Sequence, residues 1–229
     1  MPKTKTKQKK AKLEEKRELQ WSNFNLPNIP LFQTQLPNDI QIRLWDYVAK
    51  AKQRHNHRLA GNIDTSLVLV DEDHYFYRNV IGPVANLYAA YAENGVWVDF
   101  DEEKKKEAEE NERAMELKAF WVNFQNQHEF NPVHSHDGFL SFVIWMKIPT
   151  SWEEQHNLDF CKGSNSPCAS DFAFSYSDVL GLHRDYKIKM GEFQEGWMIV
   201  FPAGLRHQVY PFYNCDEQRI SISGNIVLL

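Results

Sequence analysis

The second half of the chain is a succession of short apolar runs, and this pattern constrains the fold more than any other feature of the sequence. From Ala119 onward, runs rich in aromatic and β-branched residues are separated by Gly, Pro, Asn and Asp. The runs are AFWVNFQ, FLSFVIWMKIP, DFAFSYSD, DYKIKM, WMIVFP, HQVYPFY and RISISGNIVLL. Strand formers at this spacing, with no helical pattern between them, are typical of an antiparallel sandwich or barrel.

The first half of the chain contains two helical patterns. One follows Pro37, with Ile40, Leu44 and Val48 at helical spacing, and a short edge-strand-like segment precedes it. The other covers residues 73–91, where apolar side chains form one stripe. Both helices are expected to pack on a sheet, so the sequence predicts an α+β fold in which N-terminal helices support a C-terminal β-sandwich.

Two charged segments contain few apolar side chains. Residues 1–20 carry lysines but no apolar block, which indicates a solvated, disordered basic tail rather than a signal peptide or a membrane span. Residues 99–118 are rich in helix formers of both charges and predict a solvated helix or a mobile insertion. The rest, 21–229, is expected to be one domain, with the strand motifs of the core in 119–229.

Charge and cysteine content exclude several classes of partner. The net charge is −5, so neither nucleic acid nor an anionic membrane is an expected partner. The three cysteines are odd in number, and their spacing matches neither zinc knuckles nor a disulfide framework. We therefore expect a cytoplasmic protein.

Two histidines precede the longest apolar run, in the stretch NPVHSHDGFLSFVIWMKIP. Residues two apart on an extended chain project from one face, so His134 and His136 are expected to point the same way. Imidazole is a common ligand for divalent metals, and a catalytic ion needs a third ligand. The best candidate is His207, which follows the turn after another buried strand. These three residues predict a metal site.

Polar residues on two strands predict an anion site beside the metal. Arg219 and Ser221 alternate with isoleucines, so the guanidinium and the hydroxyl share one strand face. A buried arginine needs an anion, and the fork of its N–H groups matches a carboxylate, which suggests a small dicarboxylate. Asn123 and Gln125 alternate with apolar residues in the same way and are candidates to hydrogen-bond its oxygens.

Together these residues resemble the Fe(II)/2-oxoglutarate-dependent oxygenases, and more closely a phage-type branch of that superfamily. The resemblance lies in LAGNI (59–63), in 120–149, in 195–213 and in RISISGNI (219–226). It implies a double-stranded β-helix (jelly-roll) core that holds Fe(II), with 2-oxoglutarate and dioxygen as cosubstrates. The implied activity is hydroxylation of an unidentified substrate, with peptides and proteins among the candidates. In a phage-encoded protein, the cytoplasm would be that of the host.

The family's functional residues carry over to four positions, and a fifth departs from the usual pattern. His134 corresponds to the first metal ligand, His207 to the distal histidine, and Arg219 with Ser221 to the group that binds the distal carboxylate of 2-oxoglutarate. The second ligand is usually an acid, but His136 occupies that position. His136 keeps the period of two, whereas Asp137 could replace it if a β-bulge turned the chain. No catalytic residue is expected beyond the metal ligands.

Two other interpretations remain open at the level of sequence. The chain could be a non-catalytic jelly-roll module with a structural or assembly role, or a cupin-like three-histidine dioxygenase that uses no cosubstrate. The buried arginine favours the oxygenase over a structural module. His128, His156 and His183 have no partner at ligand spacing, and we predict that they lie on the surface.

Overall fold

Two antiparallel sheets face each other in the computed structural model, which describes residues 28–91 and 114–229. The large sheet has six strands in the order β1-β8-β5-β10-β3-β2, and the small sheet has four in the order β4-β9-β6-β7. The strands are β1 (Phe32–Gln35), β2 (Thr65–Val68), β3 (Met115–Gln125), β4 (Asn131–His134), β5 (Leu140–Lys147), β6 (Phe172–Ser177), β7 (His183–Ile188), β8 (Trp197–Pro202), β9 (Arg206–Val209) and β10 (Arg219–Leu228).

The helices cover the outer face of the large sheet. Helix α1 (Asn38–Lys50) follows β1, and α2 (Gly82–Tyr91) continues a π-helical turn at Tyr77–Ile81. A short helix, α3 (Trp152–His156), begins after Ser151, whose hydroxyl accepts from the Glu154 amide. Side chains from α1 and α2 form one apolar core with the outer face of the large sheet. Within the described residues, no helix has the length and apolarity needed to cross a membrane.

Strand β5 is apolar without interruption from Phe142 to Met146 because both of its faces are covered. Phe142 and Ile144 contribute to the helix-side core, whereas Val143 and Trp145 contribute to a second core between the two sheets. An uninterrupted apolar run of this length is what a strand buried on both faces requires. The sequence prediction of helices packed on a β-sandwich is therefore confirmed at the level of a mixed fold with mostly antiparallel sheets.

Strands β3 and β10 give the large sheet one dry face and one polar face. They pair over their length, with Arg219 opposite Gln125 and Ser221 opposite Asn123. Their alternate residues pack on the helix side, where Val122 and Ile222 are fully buried. The period of two thus aligns a polar row on the face that lies toward the small sheet.

The structure corrects one boundary and leaves others undescribed. Strand β3 begins at Met115, so residues 115–118 are not part of the predicted charged helix or insertion at 99–118. Met115 is buried and its backbone pairs with Leu228, which explains why the strand extends beyond Ala119. The rest of that segment and the predicted tail at 1–20 lie outside the described residues.

The N-terminal half also contributes two strands. The edge-strand-like segment predicted before α1 is β1, whereas β2 was not predicted. Strand β1 pairs with β8 and β2 pairs with β3, so both edges of the large sheet come from residues before the strand-rich half. Short, partly exposed segments such as β1 carry a weak pattern, and their pairing depends on a distant strand.

Gly224 on β10 provides a test of this packing. A Cβ atom there would lie 2.5 Å from Cζ of Phe142 and 2.7 Å from the carbonyl oxygen of Ala119. Gly224→Ala should lower the free energy of unfolding by about 1–3 kcal/mol, because overpacking forces the core apart. Thermal denaturation measures this, with Gly163→Ala as the control, since a Cβ at Gly163 would meet nothing within 4 Å. Equal melting temperatures for the two variants would contradict the packing described here.

Candidate metal and carboxylate site

Three histidines converge between the sheets. The ring centroids of His134 and His207 are 4.3 Å apart, and His136 lies 5.0 Å from the first and 5.1 Å from the second. One ring nitrogen from each histidine lies within 4.8 Å of the other two. Of the described residues, this is the one group of three or more His, Cys, Asp or Glu side chains close enough together to hold a metal ion.

Local backbone structure brings these rings together. His134 ends β4 and lies directly opposite His207 of β9 in the antiparallel register. His136 lies beyond the end of β4, where its amide donates to the carbonyl of Ala203 at 2.9 Å. His134 and His136 therefore precede the buried strand, because β5 starts at Leu140. They lie at the end of β4 and in the connection that follows.

Backbone carbonyls orient two of the rings. Nδ1 of His134 lies 2.7 Å from the carbonyl of Pro132, and Nδ1 of His207 lies 3.0 Å from that of Leu205. A carbonyl can only accept, so each Nδ1 carries the proton and each Nε2 has a free lone pair. This tautomer is the one that a metal-binding imidazole needs when it binds through Nε2.

Burial keeps all three rings neutral at pH 7. Desolvation lowers the pKa of His134, and it lowers the pKa of His136 to about 4 and that of His207 to about 3. The mutual repulsion of charged rings acts in the same direction on His136 and His207. Neutral imidazole is the form that binds a metal, so protons compete little for these nitrogens near neutral pH.

The donor set fits a divalent transition metal. Imidazole nitrogens bind an ion such as zinc at about 2.0–2.1 Å, so two ligands of one ion lie at most about 4.2 Å apart. The three rings are close to this limit and need small rotations at most to share an ion. Nitrogen ligands suit iron, zinc, copper and nickel, whereas calcium and magnesium prefer oxygen.

The structure groups His136, and not Asp137, with the other two histidines. The cluster consists of His134, His136 and His207, while Asp137 is exposed next to it. Asp137 still acts on the site through its charge, which opposes part of the fall in the pKa of His136. No carboxylate is present in the cluster itself.

Arg219 lies on the same cavity as the histidines. The cavity has a volume of about 500 Å³, and its lining includes the three histidines, Arg219 and Ser221. Arg219 is 2% exposed, and burial lowers its pKa to about 10, which still leaves it charged at neutral pH. Across the described chain, no carboxylate lies within ion-pair distance of this guanidinium, and its Nε has no hydrogen-bond partner.

Asn123 and Gln125, the other residues predicted to bind the cosubstrate, also line this cavity, but they differ in how many of their hydrogen-bonding groups are free. The amide oxygen of Asn123 is buried and has no partner among the described residues, so the side chain is available to a ligand. Gln125 donates from Nε2 to the carbonyl of Glu129 at 2.6 Å, so part of its hydrogen-bonding capacity is already used. Asn123 is therefore the stronger candidate of the two.

The site also includes residues that were not predicted from the sequence. His55 lies in the helical half, yet it lines the cavity and stacks on Trp121 at 5.0 Å. Trp121 lies 5.7 Å from the ring of His136. His55 has no histidine at ligand spacing apart from exposed His57, so no signal in the sequence connected it with His136, 81 residues further on.

His156 was predicted to lie on the surface, and this is wrong. It is 8% exposed, and its Nε2 lies 3.0 Å from Oδ1 of Asp171, which is also buried. The prediction rested on the absence of a partner nearby in sequence, but the partner is 15 residues away and the two meet through the fold.

Comparison with known proteins identifies part of the chain. Residues 119–225 match a family model described as "Putative 2OG-Fe(II) oxygenase". A prolyl-4-hydroxylase from Pseudomonas putida has a similar structure, with 12% identity, coverage of 88% of this chain and 94% of that one, and a TM-score of 0.47. A 2OG-Fe(II) oxygenase family oxidoreductase from Burkholderia pseudomallei covers 86% and 84%, at 12% identity and a TM-score of 0.45. Curated proteins gave no match.

The choice between His136 and Asp137 as the metal ligand can be tested directly. His136→Ala should weaken Fe(II) binding by more than the roughly 10- to 100-fold that loss of an outer partner costs, because it removes a ligand. Asp137→Ala should change binding little. Anaerobic calorimetric titration with Fe(II) measures both, and His183→Ala serves as an exposed-histidine control. If Asp137→Ala abolishes binding while His136→Ala does not, the ligand assignment is wrong.

Proposed function

We propose that this chain is an Fe(II)- and 2-oxoglutarate-dependent hydroxylase, since residues 119–225 match a family model described as "Putative 2OG-Fe(II) oxygenase". The match to this family implies Fe(II), 2-oxoglutarate and dioxygen as cofactor and cosubstrates. In the proposed reaction, one oxygen atom of dioxygen enters succinate as 2-oxoglutarate loses carbon dioxide. The other oxygen atom is inserted into a C–H bond of the substrate, which becomes C–OH.

The two facing sheets are proposed to be a double-stranded β-helix, or jelly roll. The features that favour this are the antiparallel pairing throughout both sheets and the functional side chains that both contribute to one cavity. His134 and His207 come from the small sheet, and Arg219 comes from the large one. A jelly roll brings such residues together without any of them being close in sequence.

The three histidines are proposed to hold the metal. One ring nitrogen from each lies within 4.8 Å of the other two, and the backbone carbonyls of Pro132 and Leu205 hold the rings of His134 and His207 in the tautomer that leaves Nε2 free to bind. When bound, Fe(II) supplies the redox chemistry that couples decarboxylation of 2-oxoglutarate to hydroxylation.

Arg219 is proposed to bind the distal carboxylate of 2-oxoglutarate, and this residue carries the functional assignment. A buried guanidinium without a carboxylate partner is costly, and a ligand that brings one removes that cost. Ser221 lines the same cavity and can donate its hydroxyl to the same carboxylate. Asn123, whose amide oxygen has no partner among the described residues, is proposed to complete the polar contacts.

The rest of the cavity is proposed to receive the substrate. Trp145, Phe172 and Phe201 line it with apolar surface, which keeps water away from the reacting groups. Leu59 and Ile63 line it as well and come from the LAGNI segment. A cavity of about 500 Å³ that also holds 2-oxoglutarate has room for a group the size of a side chain, so we propose a peptide or protein substrate.

One experiment separates this proposal from its alternatives. Anaerobic Fe(II) titration should produce a visible metal-to-ligand charge-transfer band when 2-oxoglutarate is present and none when it is absent. Addition of dioxygen should then yield succinate. A cupin-like three-histidine dioxygenase would consume oxygen without succinate, and a structural module would show neither the band nor turnover.

Replacement of Arg219 tests the carboxylate contact. Arg219→Lys should weaken 2-oxoglutarate binding at least about tenfold, or about 1.4 kcal/mol, because lysine cannot reproduce the two parallel N–H bonds. The charge-transfer band reports this affinity, while Fe(II) affinity should stay the same. Arg184→Lys is the matched control, since Arg184 is exposed and bonds Asp178. Unchanged cosubstrate affinity in Arg219→Lys would count against the proposed contact.

The basic N-terminal segment is proposed to be dispensable for chemistry. All residues proposed to bind metal or cosubstrate lie beyond Ala119, and the helices that support the sheet begin at Asn38. A variant that lacks residues 1–20 should therefore keep Fe(II) affinity and uncoupled succinate formation near those of the full chain. The truncated protein could still lose a partner recruited by the tail, so turnover without substrate is the appropriate measurement. A folded variant that cannot bind iron would place the tail in the site.

A further inference from the structure

A single residue, Ser170, anchors the buried guanidinium of Arg219. The Nη2 atom of Arg219 donates to the carbonyl oxygen of Ser170 at 2.8 Å and also to the hydroxyl oxygen of Ser170. Beneath the guanidinium, the ring of Phe212 lies 5.2 Å from Cζ. The position of one guanidinium nitrogen is therefore fixed, while Nε has no partner among the residues described.

The backbone of Ser170 adopts a conformation that serine rarely adopts. Its φ angle is 72°, in the left-handed region, and the residue is completely buried. Such a conformation persists where the surroundings dictate it, and it is found mainly at functional positions. Here it directs both oxygen atoms of the same residue toward the same nitrogen of Arg219.

Two neighbouring segments fix this conformation. The Ser170 amide donates to the carbonyl of Pro211 at 2.8 Å, and its hydroxyl lies 3.3 Å from that of Thr150. The next residue, Asp171, pairs with His156 at 3.0 Å, and its carbonyl accepts from the Tyr210 amide at 2.9 Å. The segment is thus attached on one side to α3 and on the other to the chain that leads from β9 to β10.

Asp171 also acts on Arg219 through its charge. Its carboxylate is 1% exposed, lies beyond ion-pair distance of Arg219, and still favours the charged guanidinium. Within the described structure, Oδ2 of Asp171 has no hydrogen-bond partner. Asp171 therefore offsets the charge of Arg219 without a direct contact, and the Nε–H of Arg219 remains available for a closer carboxylate from a ligand.

We propose that Ser170 is a positioning residue that sets the selectivity of the site for a dicarboxylate, and that the buried pair His156–Asp171 holds Ser170 in place. Because Nη2 of Arg219 is held by Ser170, the distance between the guanidinium and the histidine cluster is fixed. A 2-oxo acid with a carboxylate at the matching far end gains the contact, and one without it does not. This inference rests on the proposed function, because it assumes that 2-oxoglutarate occupies the cavity.

The test compares two ligands in one variant. Ser170→Gly keeps the carbonyl and allows φ of 72° without strain, but removes the hydroxyl. Affinities for 2-oxoglutarate and for 2-oxobutanoate, which lacks the distal carboxylate, are measured from the charge-transfer band with Fe(II) under anaerobic conditions. We expect 2-oxoglutarate to weaken about tenfold, as for loss of a hydrogen bond to a charged group, and 2-oxobutanoate to stay unchanged. The KM for 2-oxoglutarate should rise by more than kcat falls.

Ser164→Gly is the matched control, because Ser164 is an exposed serine of the same loop whose hydroxyl accepts from the Ser166 amide. A second pair of variants tests the support. His156→Leu removes the donor to Asp171 and should reproduce the loss of selectivity, whereas His156→Gln retains an N–H and should retain more of it. If His156→Leu fails to fold, as judged by circular dichroism, Ser170→Gly decides alone.

The outcomes distinguish a failure of the positioning role of Ser170 from a failure of the proposed function. Full preference for 2-oxoglutarate in Ser170→Gly, or equal weakening of both ligands, overturns the positioning role while the proposed function stands. Absence of the band in the unmodified protein, or unchanged affinity in Arg219→Lys, overturns the proposed function itself. Weakening of 2-oxoglutarate alone supports the inference.

Discussion

The architecture depends on one constraint, the burial of the large sheet on both faces. Helices α1 and α2 cover one face and the small sheet covers the other, so almost every side chain of β5 is out of contact with water. On β3 and β10, the helix-side residues are apolar and the other row is polar. A buried polar row must find partners, because an unpaired polar group costs free energy. Three buried atoms of that row have no partner among the described residues: Nε1 of Trp121, Oδ1 of Asn123 and Nε of Arg219. All three residues line the cavity, so the cavity is the place where a ligand can pair with these atoms.

The charges of the proposed site follow from its ligand set. Three neutral imidazoles contribute no negative charge, so a divalent metal held by His134, His136 and His207 would keep both of its positive charges. Arg219 adds a third positive charge at the other end of the cosubstrate site. Asp171 offsets part of this, and a dianionic cosubstrate would offset the rest. An acidic second ligand would leave less positive charge for a dicarboxylate to neutralise. Because Asp137 is exposed next to the cluster and is not part of it, the site keeps this extra positive charge.

Much of the site could be predicted from the sequence because its residues lie in strands. In β3 and β10, the period of two places Asn123, Arg219 and Ser221 on one face, and the structure shows that face lining the cavity. His134 and His136 were grouped for the same reason, although His136 proves to lie after β4 and is held by a hydrogen bond to Ala203. The prediction for His156 failed because its partner is a single buried aspartate on another segment. No periodicity reports such a pair.

The sequence by itself determined which face of the main strands is apolar, which face is polar, and which side chains can bind a metal or a carboxylate. These properties depend on neighbours one or two residues away, so local pattern is sufficient to read them. Tertiary structure alone decided that β4 and β9 pair with His134 opposite His207, that β1 and β2 close the edges of the large sheet, and that Ser170 meets Arg219. Each of these contacts joins segments far apart in the chain, and its stability comes from burial that exists only after both sheets and the helices have packed together.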